Sequence, residues 1–412
     1  MARTHVDEII AAIDIGTTKI CVLIARKLHD ESIEVIGIGK SPSEGLHKGV
    51  VVDIARTVRS IRSAVAEAEL MAGMKITSAT IGIAGGHISS VNSHGVIPVK
   101  RTDVSAADME NVLAAARAIP VPEGQEILHV LPQYFVIDRR EKVHDPRGMH
   151  GVRLEVQAHI IMGATAAVQD LVTCCEKAGI LVDDVVLEQI ASAYAVLSED
   201  EKELGVGVLD IGGGTSDFAV YQNGSIRHTM VLPVAGNHFT NDLAIGLRTT
   251  IADAERIKKE YGLACMAALK RNELIEVAKV QGGSARDVIE SADIICILEP
   301  RAREVLSLVR DEVLEHHLHS YIRTGIVLTG GGSLLTGMQQ LAEDIFDVPV
   351  RIGNPRIEFS LPESLDNPMY ATSYGLLLHK VSKGHDAHMQ SIDAPLVKRV
   401  FETMKSWVMD FF

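Results

Sequence analysis

The sequence predicts an α/β fold built twice over, with two lobes facing each other across a cleft. Two stretches carry this reading. Asp210-Ile-Gly-Gly-Gly-Thr-Ser-Asp217 follows the apolar run 206–209 and precedes Phe218-Ala-Val-Tyr221. Asp14-Ile-Gly-Thr-Thr-Lys19, 196 positions earlier, repeats the device between the apolar runs 9–13 and 20–24. Internal repetition of a functional turn points to a duplicated domain. Each copy reads strand, carboxylate, glycine, hydroxyl residues, strand. The carboxylate can hold a hydrated divalent cation. The glycines let backbone N–H groups close on a ligand, and Thr215 and Ser216 can donate to phosphate oxygens. This is phosphate-and-Mg²⁺ chemistry, although the pattern is not the Lys-Ser/Thr P-loop. Asn223-Gly224 supplies the positive φ values of a two-residue hairpin turn. A third cluster, Gly330-Gly331-Gly332-Ser333, follows the strand Ile326–Thr329 and reads as a helix start on which a flat base and a ribose can lie.

In chain order, residues 9–40 read as three strands. Asp53 caps a helix with Ile54, Val58, Ile61 and Val65 at helical spacing, closed by Gly73. A buried strand at 79–84 completes a first-lobe segment, 1–84. Residues 85–161 read as an inserted α+β subdomain. It holds strands at 96–99, 127–137 and 154–161 and a helix opened by the capping box Ser105-Ala-Ala-Asp108. Alternation around 130–139 suits a sheet with one wet face. The subdomain carries no phosphate motif and reads as an interaction module. Residues 162–203 return to the first lobe with a helix at 164–180, a strand Leu181–Leu187, a connecting helix at 188–197 and a charged connector at 198–203. The second lobe opens at 204–249 with the hairpin and a helix from Gly236-Asn237 through Leu247. A variable subdomain, 250–299, carries helices at 250–261 and 285–292. In the last lobe segment, 300–381, Pro300 takes the first position of a helix running to about Tyr321. A helix with Leu335, Met338, Leu341 and Ile345 follows the glycine cluster, and the small residues of 370–378 suit close helix–helix contact. Residues 382–394 are polar and read as a flexible linker.

The segment 395–412 places Val397, Val400, Phe401, Met404, Trp407, Val408 and Phe411 on one helical stripe, flanked by Lys398, Arg399 and Lys405. The only Trp and three of the eight Phe lie here. Behind a linker, such a helix has no core of its own. Trp and Phe suit a headgroup boundary, so we expect a reversible amphipathic helix on an anionic membrane surface. Docking into a protein groove is the alternative.

The 412 residues are 47% hydrophobic and 23% charged, enough for a large core and too long for one compact domain. A net charge of −14 argues against a nucleic-acid binder. Five cysteines, without a CxxC pair, read as buried or half-buried reduced thiols of a cytosolic protein. Residues 1–8 are polar, so no signal peptide is expected, and no apolar run has the length of a membrane span. His316 and His319 could share a helix face and hold a metal. The plainer reading is a solvated helix end at the negative pole of the macrodipole.

The order Asp14-Ile-Gly-Thr-Thr-Lys, Asp210-Ile-Gly-Gly-Gly-Thr-Ser-Asp, Thr329-Gly-Gly-Gly-Ser resembles the actin/Hsp70/sugar-kinase ATPase superfamily over nearly the whole chain. Within it, the place of the inserted segment, the length and the amphipathic tail resemble the FtsA family of bacterial cell-division actin homologues. The resemblance implies a duplicated actin-like ATPase fold closing over ATP and Mg²⁺, with Asp14 and Asp210 facing the metal through water. Gly16, Thr17, Thr18 and Lys19 would contact phosphates from one side, and Gly212, Gly213, Gly214 and Thr215 from the other. Gly236 and Asn237, with Glu255 and Lys258, would line the ribose and adenine side. Gly330, Gly331 and Gly332 would support the base. Glu188 stands where the superfamily often places a water-orienting residue. Arg301 and Arg303 would meet the acidic C-terminal peptide of FtsZ, the tubulin-like ring protein; a solvated helix face is the plainer reading of the pair.

The function implied is an ATP-binding protein that self-assembles into filaments and tethers the FtsZ ring to the inner face of the cytoplasmic membrane at the division site. Later division proteins would be recruited through the inserted subdomain. Hydrolysis would be slow at most, since no residue is committed to activating water. The alternatives are a pilus-assembly relative without the tail, a sugar kinase, which would need a base poised over a substrate hydroxyl, or an Hsp70-type chaperone, for whose peptide-binding domain the chain has no room.

Overall fold

Two five-stranded sheets of the same topology form the frame. The computed structural model describes residues 8–28, 32–279, 286–356 and 362–385. The membrane stripe expected over 397–411 and most of the linker lie outside the described residues.

In the first lobe, β1 (Glu8–Ile15), β2 (Lys19–Lys27) and β3 (Ile33–Pro42) form an antiparallel meander. A small ribbon, β4 (Leu46–His47) with β5 (Val50–Val51), leads to α1 (Ile54–Ala72), whose first turn is capped by the Asp53 carboxylate on the Arg56 N–H. β6 (Ser78–Ile83) returns parallel to β1. The chain then leaves the lobe. β7 (Ser89–Pro98), α2 (Ala106–Arg117), β8 (Gln125–Ile137), β9 (Lys142–Val143) and β10 (Arg153–Ala164) make an antiparallel sheet, ordered β7-β10-β8-β9. Its separate core joins Val112 and Ala116 of α2 to Phe135 and Val156. Ser105 and Asp108 form the capping box of α2. Back in the lobe, α3 (Thr165–Ala178) is followed by β11 (Leu181–Leu187), parallel to β6, which completes the order β11-β6-β1-β2-β3. Next come α4 (Glu188–Val196) and α5 (Glu199–Leu204). The expected charged connector is thus helical, because Ser198 and Glu201 form a second capping box.

The second lobe repeats the plan. β12 (Val206–Ile211), β13 (Ser216–Gln222) and β14 (Ser225–Leu232) meander through Asn223 and Gly224, at φ 51° and 66°. Its remaining elements are α6 (Gly236–Gly246), α7 (Ile251–Tyr261), β15 (Leu274–Ala278), β16 (Arg286–Glu290), α8 (Ser291–Glu315), β17 (Ile326–Thr329), α9 (Met338–Phe346) and β18 (Val350–Ile352), and the last described helix, α10 (Ala371–His385), packs back on β1, β2 and β6 of the first lobe and on α4. β17 runs parallel to β12 and β18 parallel to β17, giving the order β14-β13-β12-β17-β18. α4 and α10 lie between the two sheets, in one core that takes Ala12 and Leu23 from the first lobe and Val208 and Val327 from the second.

Several expectations are corrected. The helix expected over 285–292 is mostly strand: β16 pairs with β15, whose alternation buries Ile275 and Val277. α8 begins only at Ser291 and runs through Pro300, which therefore sits inside the helix rather than at its first position. The ring removes one backbone hydrogen bond. The apolar stripe Ile294, Leu298, Ala302, Val305 and Val309 stays buried on both sides of it, so packing outweighs the lost bond. α8 ends at Glu315, because His317 turns to φ 54° and a 3₁₀ turn, Leu318–Tyr321, follows. That break removes His319 from the helix face of His316. Leu335 precedes α9 instead of lying within it. α10 continues to His385, so the first residues of the expected linker are helical. Cys21, Cys174, Cys175 and Cys265 are buried free thiols, whereas Cys296 is exposed. No helix among the described residues is long and apolar enough to cross a membrane.

The expected contact of small residues is the crossing of α10 on α4. A Cβ at Gly375 would lie 1.8 Å from the Ala191 carbonyl oxygen. Substitution Gly375→Val is therefore expected to cost about 1–3 kcal/mol, as overpacking does. The check is the urea midpoint, which should fall; an unchanged midpoint would mean the crossing is not tight.

Candidate functional site

The two turns are built alike. The Gly16 N–H donates to the Lys19 carbonyl at 3.1 Å, and the Gly212 N–H to the Thr215 carbonyl at 2.9 Å. Each aspartate is the last but one residue of its strand, Asp14 opposite Cys21 and Asp210 opposite Asp217. The turns meet face to face. A Cβ on Gly213 would lie 1.6 Å from Thr18 Oγ1, and one on Gly214 would lie 2.3 Å from Thr17 Oγ1. These glycines are thus required by the opposing turn as well as by any ligand. Both turns wall a single cleft of about 850 Å³.

The other expected residues also reach this cleft. Gly236 and Asn237 open α6, and their N–H groups donate to the carbonyls of Gly212 (3.0 Å) and Gly213 (2.8 Å), bracing the second turn. Glu255 and Lys258 sit on α7 and form an ion pair at 2.6 Å. Lys258 Nζ also donates to the Gly236 carbonyl at 3.1 Å. Burial pushes the Glu255 carboxyl up, but hydrogen bonds from Lys258 and Thr240 outweigh it and hold the group below its usual range. Gly330, Gly331 and Gly332 lie at the end of β17, where a 3₁₀ turn (Gly331–Leu334) replaces the expected helix start. Gly330 and Gly332 pack on the second turn: a Cβ would lie 2.2 Å from Asp210 Oδ1 and 2.4 Å from Ile211 Cγ2, respectively. Gly331 faces open space.

The floor of the cleft is acidic. Asp14, Asp210 and Asp217 are buried, and half-buried Glu188 begins α4 beside Gly82. Burial, with repulsion from Asp210 and relief from Lys19, lifts the Asp14 carboxyl to about 6. Burial lifts Asp210 too, against hydrogen bonds from the Ser192 hydroxyl (2.5 Å) and the Thr372 hydroxyl (2.9 Å). Glu188 and Asp217 are raised well above the carboxylate range, first by burial and then by their acidic neighbours. Asp217 Oδ2 accepts from the Thr215 hydroxyl at 2.9 Å, while Oδ1 is buried with no hydrogen-bond partner among the described residues. Crowded carboxylates with an orphaned buried oxygen fit a hard divalent cation, which takes oxygen ligands. Lys19 supplies the opposing charge, with its ammonium 2.6 Å from the Met369 carbonyl and over the Tyr370 ring.

Sequence reasoning named Asp217 only as the last residue of its motif and missed Ser192 and Thr372. These two hydroxyls meet at 3.0 Å across 180 positions, so no local pattern could have paired them. Arg301 and Arg303 lie on α8 and line no part of the cleft. Arg301 pairs with Asp242 at 2.7 Å and with Glu304, and Arg303 with Glu299 at 2.8 Å.

Comparison with known proteins agrees with this architecture. Residues 207–375 match the family described as "Cell division protein FtsA", and residues 85–162 match the "SHS2 domain inserted in FTSA". The chain is 44% identical to the cell division protein FtsA of Pseudomonas aeruginosa, covering 100% of both proteins. It is 45% identical to that of Neisseria meningitidis serogroup B over 89% of each, and 37% identical to that of Escherichia coli K12 over 97% of this chain and 96% of the relative. Among solved structures it is similar to the PilM-PilN type IV pilus biogenesis complex, with a TM-score of 0.66, 18% identity and coverage of 90% and 98%. MreB5 of Spiroplasma citri bound to ADP matches at a TM-score of 0.57, 17% identity and coverage of 92% and 98%. These two likenesses show the shared actin-like ATPase fold. Relatives 37–45% identical along most or all of their length, with an inserted subdomain matching the family's own, make this chain a member of the FtsA family of cell division proteins.

Proposed function

We propose that the chain binds ATP with Mg²⁺ in the cleft, assembles with copies of itself, and ties the FtsZ ring to the cytoplasmic face of the membrane at the division site. The observation that carries the nucleotide reading is the meeting of two matched turns over one acidic floor. Gly16, Thr17, Thr18 and Lys19 would take the phosphates from the first lobe, and Gly212 to Thr215 from the second. Asp14 and Asp210, with the free oxygen of Asp217, would hold the hydrated cation. Gly236, Asn237, Glu255 and Lys258 would flank the nucleoside, with Gly330 to Gly332 beneath the base. Glu188 is the candidate for orienting water. Hydrolysis would be slow at most, since no other residue is committed to activating water. Closure would be transmitted through Asp210, which Ser192 of α4 and Thr372 of α10 both grip.

The inserted subdomain, folded on its own core, would recruit later division proteins. The acidic peptide of FtsZ would reach Arg301 and Arg303 by exchanging with the carboxylates that now hold them. The tail residues Val397, Val400, Phe401, Met404, Trp407, Val408 and Phe411 would enter an anionic bilayer surface, with Lys398, Arg399 and Lys405 at the headgroups. The domain division set out above is proposed with this reading.

Co-sedimentation with anionic vesicles tests it. The full chain is expected to pellet, more so with Mg-ATP, while a chain stopped before Pro395 stays in the supernatant. If neither pellets, the membrane role is lost.

The acidic floor gives a second test. Asp14 has a folded pKa raised above its unfolded value, so the folded state holds more protons between about pH 4 and 6. Its contribution to stability falls as pH rises through that window, and the penalty is fully present above it. Asp217→Asn is expected to raise the melting temperature of the metal-free protein at pH 7.5, because it removes a buried carboxylate crowded by Asp210. It should also remove most of the further rise caused by Mg²⁺. Thermal melts with Mg²⁺ or a chelator read both effects; a lower melting point without metal would contradict the repulsive floor.

A further inference from the structure

Away from the cleft, we infer that His228, Glu312 and His316 form a binding site for one transition-metal ion of the Zn²⁺ class, at the seam between the second lobe and the inserted subdomain. His228 lies on β14. Glu312 lies in the last turn of α8, and His316 caps that helix four residues on, so the two share a helix face. His228 Nε2 is 2.7 Å from Glu312 Oε1, and His316 Nε2 is 3.2 Å from the same oxygen. The two imidazoles lean together with ring centroids 4.6 Å apart. One ligand atom from each residue lies within 4.8 Å of the others.

Two imidazoles and a carboxylate are the donor set of open tetrahedral zinc sites, which leave the fourth position to water or another ligand. Bonds of about 2.0–2.1 Å in a tetrahedron put donor atoms about 3.3 Å apart. The Glu312–His316 pair already has that separation. The Glu312–His228 pair must open by roughly half an ångström. His316 is half exposed at a helix cap and can turn, while His228 and Glu312 are mostly shielded on regular elements.

The two histidines face a cavity of about 460 Å³, which leaves room for the fourth ligand. Lys142 and Arg227 also line it, Lys142 over the Tyr134 ring and Arg227 donating to the Gln222 carbonyl at 3.2 Å. Their charge weakens attraction for a bare dication and favours an anionic fourth ligand. The seam gives the site a consequence. β14 is the strand on which the inserted subdomain rests, through Gln133 Nε2 to the Ile226 carbonyl (2.9 Å) and His159 Nε2 at Thr229 Oγ1 (2.9 Å). A bound ion would fasten the end of α8 to that strand.

The test is titration of untagged, chelator-treated full-length protein with Zn²⁺ by calorimetry and with Co²⁺ by visible absorption. One ion per chain is expected, with d–d bands of a low-coordinate nitrogen/oxygen site and a raised melting temperature. Removing only an outer-shell partner of a metal ligand costs about 10–100-fold in affinity. His316→Ala, at an exposed ring, is therefore expected to weaken binding at least about tenfold and abolish the melting shift. His319→Ala should leave both unchanged. Glu312→Gln should behave as His316→Ala does; if it fails to fold, His316→Ala decides alone, provided its metal-free melt matches the parent. Absence of stoichiometric binding, or binding that survives His316→Ala, overturns the proposal.

Discussion

The crossing of α4 and α10 is the constraint on which the rest of the molecule depends. Gly375 lies so close to the Ala191 carbonyl that no side chain fits between them. That approach brings Ser192 and Thr372 within reach of one carboxylate oxygen, Asp210 Oδ2. Hydrogen bonds to a charged acceptor in a buried site are among the stronger ones a protein makes. The same pair of helices therefore joins the two sheets, fixes the second turn and grips the residue at the centre of the acidic floor. Arg351 of β18 adds a further tie, donating to the Val196 carbonyl at the end of α4 (2.7 Å) and pairing with Glu201 of α5 (2.8 Å). A rotation of one lobe against the other has to pass through these contacts.

Much of this was legible in the sequence, for a physical reason. Strands buried on both faces read as continuous apolar runs, and β17 is found at the residues the sequence marks, while β11, with Leu181 and Asp183 exposed, is also found at its expected bounds. Turn chemistry marked the hairpin at Asn223-Gly224, and capping chemistry marked α1 and α2. Reading failed where tertiary packing overrides local preference. Pro300 reads as a helix start, yet the buried stripe of α8 carries the helix across it. Residues 286–290 read as helix, yet they find β15 as a partner. Ser198 and Glu201 spell a capping box inside a run of charges, a signal that was available and passed over. In the site, the turn residues were legible because each turn is local. The hydroxyls that hold Asp210 were not, since they come from two helices 180 positions apart.

Duplication accounts for the matched turns, but the two copies are not equivalent. Opposite Asp14 the first hairpin has Cys21; opposite Asp210 the second has Asp217. The first turn ends in Lys19, whereas the second ends in Thr215-Ser216. The second lobe thus contributes two carboxylates to the floor and no cation at its turn. The first lobe contributes one carboxylate at its own turn, besides Glu188 of α4, and an ammonium anchored by the Met369 carbonyl and the Tyr370 ring.

That asymmetry gives the cleft a direction. Coulomb energies between charges a few ångströms apart grow severalfold as the effective dielectric falls below that of water. Excess negative charge therefore lies toward Asp210 and Asp217, where a cation is favoured, and positive charge toward Lys19, where an anion is favoured. A ligand with a cationic and an anionic part is oriented by the field before any specific contact forms. Because Asp210 is also the residue clasped by α4 and α10, the charge that such a ligand neutralises is the one coupled to the crossing of the two lobes. Asp210 thus joins the acidic floor to the crossing of the two helices.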